Sequence, residues 1–118
     1  MLALLLAASL IAHVLAGECG ELGPTAYVLT ASTMQARLEA GTFGGDLVSV
    51  VEAGYYADAP ATAASMGIAF ALVSGHIPSM DFAFVYSEQD VNRMRWPEGD
   101  LVIRRGGLAL HFRREAPG

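Results

Sequence analysis

The sequence predicts an α+β fold: helices in the first two-thirds of the chain, then a small antiparallel sheet. Three observations predict it. Apolar residues recur at helical spacing from Leu4 to about Ser74, glycine and proline punctuate that run, and aromatic and β-branched residues crowd into "DFAFVYS" and "LVIRRGGLALHF" near the end. With 118 residues, the chain suits one domain, residues 1–118, with a single core.

The first element is "LLLAASLIAHVLAGECGELG", Leu4 to Gly23. At a helical period Leu4, Ala7, Ile11, Val14, Leu15 and Glu18 share one stripe, and Ser9 and His13 lie opposite. Gly20, Gly23 and Pro24 close the helix. Two readings stay open at this point. The run and its Val14-Leu15-Ala16 ending look like a secretion signal cleaved after Ala16, although no Lys or Arg precedes His13. Alternatively it is a core helix that carries a carboxylate at the end of its apolar stripe, where desolvation raises a carboxyl's pKa as a general acid requires. As a membrane span the stretch is short of the ~20 residues a bilayer core needs.

A second helix is expected from Thr25 to Ala40, stopped by Gly41. After the "GTFGG" loop, Asp46 caps a short helix from Leu47 to Ala53, which ends at Gly54. Asp58 and Pro60 together suit the start of a helix that runs to about Ser74. "DFAFVYS" is expected to be a strand, and Ser87 with Asp90 looks like a capping pair for the short turn "SEQDVNRM". Gly106-Gly107 sits between two strand-like runs, which is a hairpin signature, with Leu108, Leu110 and Phe112 on one face and Ala109, His111 and Arg113 on the other.

Composition narrows the function classes. Hydrophobic residues make up 53% and charged residues 16%, and the net charge is −5. An acidic domain lacks the general attraction to phosphate backbones, so nucleic-acid binding is not expected, and the C-terminal arginines read as a solvated edge. The lone Cys19 cannot form an internal disulfide and reads as a buried, inert thiol. His13, His76 and His111 have no metal-ligand spacing, and no glycine-rich phosphate loop follows a strand. Neither a metal nor another cofactor is expected.

The order of elements, with a glutamate closing the first apolar helix, resembles the SleB-type cell wall hydrolases, a family of lysozyme-like spore cortex-lytic and related muralytic domains. "LLAASLIAHVLAGECGELG" is similar to the family's opening helix, and "ARLEAGTFGGDLVSVVEAGYY" to the segment that follows it. The interval from Glu18 to Arg37 equals the family's Glu-to-Arg interval, and "RLEAGTF" reproduces its Arg-x-x-x-Gly-x-Phe turn. "AASMGIAFALVSGHIP" looks like the alanine-rich helix placed next, and "FAFVYS" and "GGLALHF" match the final strands in type. Ala36 stands where the family has Asn, Cys19-Gly20-Glu21 replaces Ala-Arg-Gly-Glu, and Tyr55-Tyr56 replaces Gln-Phe, so a remodelled groove is expected.

The resemblance implies cleavage of peptidoglycan glycan strands between N-acetylmuramic acid and N-acetylglucosamine, by a lytic transglycosylase in which Glu18 is both acid and base. Tyr55 and Tyr56 are candidates for a sugar groove, since tyrosine offers a stacking face and a hydroxyl, and their bland role is core packing. Tyr86 and Ser87 are candidates for bonding acetamido or hydroxyl groups. Were a second carboxylate used, Glu21, Asp46 and Glu52 come into question; caps or exposed charges are the preferred reading of all three. The implied place of action is the cell wall: periplasm, spore cortex, or phage lysis or virion, with no convincing export signal. The competing expectations are an inactive peptidoglycan-binding or virion module of the same fold, and a small secreted protein that has lost residues 1–16.

Overall fold

The computed structural model describes residues 2–117. Among them the chain forms four helices, α1 (Leu2–Cys19), α2 (Pro24–Ala40), α3 (Leu47–Gly54) and α4 (Ala63–Val73), then strand β1 (Phe84–Ser87), helix α5 (Glu88–Met94) and a hairpin of β2 (Leu101–Arg105) and β3 (Leu108–Arg113). The α+β class expected from the sequence is the class observed.

Helix α1 is buried in its second half from more than one side. Ala8, Ile11, Ala12, Val14, Leu15, Ala16 and Cys19 are all buried, while Leu4 is 49% exposed and Ala7 only half-buried. The expected single stripe from Leu4 is therefore corrected. An all-round apolar helix has no preferred face to turn inward, and here α2, α3 and α4 surround its C-terminal half. The first turns, with Leu2, Leu5 and Leu6, stand exposed. By length and composition α1 can cross a membrane; 39% of it is buried inside the domain.

Local signals explain the next boundaries. Pro24 opens α2 at a position where no backbone donor is needed. Gly41 closes it in the left-handed conformation, φ 74°, and donates its amide to the Arg37 and Leu38 carbonyls. The Asp46 carboxylate accepts from the Ser49 amide at 2.8 Å and starts α3, as its spacing predicted.

The start of α4 departs from expectation. Thr62, not Asp58, is the N-cap: its hydroxyl oxygen accepts from the Ser65 amide at 3.1 Å while the Thr62 amide donates to Ser65 Oγ at 2.8 Å. Residues 55–62 instead form an extended strap across α1, where the Ala59 amide donates to the His13 carbonyl at 3.1 Å. Tertiary hydrogen bonding has claimed backbone groups that a longer helix would have used. Inside α4, a Cβ on Gly67 would meet nothing within 4 Å. Gly67→Ala is accordingly expected to stabilise the protein by ~0.5–1 kcal/mol, measurable as a raised urea midpoint at unchanged slope.

The sheet has the order β1-β3-β2, antiparallel throughout. Arg105 pairs with Leu108, so Gly106-Gly107 is a two-residue turn. Leu110 and Phe112 join the helical core together with Val85. The other face of β3 is not solvated, as simple alternation would have it: Ala109, His111 and Arg113 are buried too. The Gly99 amide donates to His111 Nδ1 at 3.0 Å, so the proton sits on Nε2, which bonds Glu88 Oε1 at 3.1 Å. The Arg113 guanidinium donates to the Pro97 carbonyl. A central strand with a loop laid over its outer face is covered on both sides, and alternation in sequence cannot reveal that.

Candidate active site

A cleft of about 390 Å³ opens where the C-terminal end of α1, the 55–62 strap, the end of β1, α5 and the start of β3 converge. That size is ordinary for a small-molecule site. Glu18 lies in its wall. It reaches the cleft because α1 carries it one residue past Gly17, and Gly17 is where the strap crosses. A Cβ on Gly17 would stand 2.4 Å from the Asp58 nitrogen and 2.8 Å from the Ala57 carbonyl carbon. Only a bare α-carbon allows the two backbones so close. The approach brings the Ala57 amide to 3.4 Å from Glu18 Oε1.

Burial pushes the Glu18 carboxyl above its ordinary value, because the carboxylate form loses water. The Ala57 and Tyr56 amides pull the other way by bonding the carboxylate, the negative charge of Asp90 adds to the upward push, and Arg37 acts weakly downward. Among the described residues no cation forms an ion pair with Glu18. The group is thus biased towards keeping its proton while facing an open cleft.

The other sequence-level candidates divide. Tyr56 lines the cleft and is 84% exposed, its hydroxyl donating to the Ala53 carbonyl at 3.3 Å and its ring left open to solvent. Tyr86 lines it as well, held edge-on to Trp96 with ring centroids 4.9 Å apart. Ser87 is also in the wall, but its oxygen already accepts from the Asp90 amide at 3.2 Å as the cap of α5, which leaves its proton as the group available to a ligand. Tyr55 is not in the cleft wall. Only 5% exposed, it bonds Thr33 Oγ1 at 2.6 Å, and burial pushes its hydroxyl up to about 12. Its ring, with those of Phe43 and Phe84, surrounds the Arg37 guanidinium at 4.8–5.0 Å. Arg37, the residue that carries the spacing from Glu18, therefore anchors the core with cation–π contacts and a bond from Nε to the Ala83 carbonyl at 2.9 Å.

Among the carboxylates, Asp46 serves as a cap, Glu52 is exposed on α3, and Glu21 lies outside the cleft. Asp90 is the second acid in the cleft wall. In the sequence it stands only as a capping partner of Ser87 in the turn, and no spacing relates it to Glu18. It is brought there by β1 running back beside β3, a tertiary event. Its Oδ1 accepts from Arg93 at 3.2 Å. Cys19 also borders the cleft, yet it is 1% exposed, its sulfur lies 3.3 Å from Thr30 Oγ1, and burial pushes its thiol up to about 12, so it supplies no thiolate. No three His, Cys, Asp or Glu side chains among the described residues gather as a metal site.

Compared with models of protein families, with curated proteins and with solved structures, the chain matches none.

Proposed function

We propose that the protein cleaves peptidoglycan glycan strands between N-acetylmuramic acid and N-acetylglucosamine as a lytic transglycosylase, with Glu18 as its general acid and base, and that it acts on the cell wall. The observation that supports this reading most is an unpaired, partly buried carboxyl in the wall of an open cleft, biased towards its protonated form.

In the proposed reaction Glu18 donates its proton to the glycosidic oxygen as the bond from that oxygen to the muramyl anomeric carbon breaks, freeing the 4-hydroxyl of the departing strand. The resulting Glu18 carboxylate takes the proton of the muramyl 6-hydroxyl while O6 bonds to the anomeric carbon. The product is a 1,6-anhydro sugar and Glu18 is again protonated, with no water consumed. The Ala57 amide stabilises the carboxylate between the two steps. Tyr56 offers a stacking face, and Tyr86 and Ser87 offer hydroxyl groups to the sugar.

Asp90 favours a second reading. A carboxylate across the same cleft can activate water, which gives a reducing end instead of an anhydro sugar. Digestion of purified peptidoglycan, with soluble muropeptides resolved by mass spectrometry, tests both. Anhydromuropeptides are expected; reducing-end products would assign the hydrolytic route, and wall binding without release would make the protein a binding module.

A further inference from the structure

A second depression of about 690 Å³ adjoins the cleft, and Gly20 lines both. Its walls come from the turn after α1, the start of α2, the N-terminal turn of α4 and the tip of the hairpin. Apolar surface from Tyr27 and Ile68 contributes, and the Tyr27 hydroxyl donates to the Gly20 carbonyl at 2.7 Å, which ties α2 to the shared rim. Two opposite charges line it: Glu21 and Arg105. Both are exposed, and among the described residues neither has an ion-pair partner. Thr62, the N-cap of α4, lines it too, and the first turn of a helix favours an anionic group.

An apolar hollow with one unpartnered cation and one unpartnered anion is complementary to a ligand that carries both a carboxylate and an ammonium on an aliphatic frame. A glycan stripped of its peptides offers a lactyl carboxylate but no ammonium. We infer that this depression holds the peptide stem of peptidoglycan, Arg105 binding a stem carboxylate and Glu21 the free ammonium of its diamino acid. The inference rests on the proposed glycan cleavage for its choice of ligand: a muramyl residue seated beside Glu18 carries its peptide on the lactyl group, and the contiguity at Gly20 supplies the space. Cleavage would then depend on whether a strand bears its peptides.

Two measurements on the full chain test this. In calorimetry, the free tetrapeptide L-alanyl-D-isoglutamyl-meso-diaminopimelyl-D-alanine is expected to bind, and Arg105→Gln and Glu21→Gln each to weaken it by about tenfold. Exchanging the diamino acid for lysine removes its side-chain carboxylate and is expected to weaken binding in the parent alone, with little further change in Arg105→Gln. No binding, or binding indifferent to both substitutions, overturns the site. In digestion, each variant is expected to raise KM for peptide-bearing strands relative to amidase-stripped strands, with kcat kept. Should the parent bind the peptide as described and cleave neither substrate, the glycosidase reading falls and the peptide site stands. Should it cleave both equally, with neither variant altering that ratio, the peptide site falls and the role of Glu18 stands. Both positions are exposed, and melting temperatures near that of the parent confirm that the variants fold.

Discussion

Glu18→Gln is expected to lower the proposed glycan cleavage by about 10²- to 10⁴-fold while making the folded protein more stable at neutral pH. The amide keeps the size of the side chain but can neither give a proton to the glycosidic oxygen nor take one from the 6-hydroxyl. The stability gain follows from the raised pKa. Between the ordinary value of 4.5 and the raised folded value, the native state holds more protons than the unfolded state, so stability falls as pH rises through that window. Above it the full penalty of an ionised, partly buried carboxylate is present. Glutamine carries no such penalty. Thermal melts of the two proteins should converge below pH 4.5, where Glu18 is protonated in both states, and separate above the folded value, with the variant higher. A variant less stable at neutral pH would mean that the Ala57 and Tyr56 amides outweigh desolvation, and that Glu18 is a bound anion.

Gly17→Ala is the second change with a large expected effect. The new methyl would fall within 3 Å of the backbone at Ala57 and Asp58, where no flexible side chain can yield. The strap must lift from α1, which weakens the bond from the Ala59 amide to the His13 carbonyl and carries the Ala57 amide away from Glu18. Overpacking of this kind costs about 1–3 kcal/mol, and misplacing a catalytic contact by an ångström costs about 10²-fold in rate. Urea denaturation and peptidoglycan digestion together check it. Activity lost at unchanged stability would put the methyl against the sugar instead of the strap.

These two neighbours also mark how far the sequence could be read. The helix ends at Gly41 and Asp46, the hairpin at Gly106-Gly107 and the cap at Ser87 follow from local backbone chemistry, so the residues announce them. The glutamate at the end of α1 was legible because helical spacing tied it to the buried Val14 and Leu15. The strap was not: Asp58 and Pro60 favour a helix start locally, and only the contact with Gly17 explains why they do not form one. Tyr55 and Tyr56 look alike in sequence, but Tyr55 is packed beneath Arg37 and Tyr56 is exposed at the cleft, a difference set by where α3 ends against α2. Asp90 and the outer face of β3 were illegible for the same reason, since their surroundings come from segments distant in the chain.

The walls of the cleft have a consequence for synthesis. Glu18 belongs to α1, and the surface formed by Leu108, Ala109 and Leu110 belongs to β3, far along the chain. A growing chain therefore carries its acid long before it carries the wall that completes the cleft. The cleft comes into being only when α1 and β3 meet, so a lytic activity housed there would stay silent until a strand made long after the acid has folded against it.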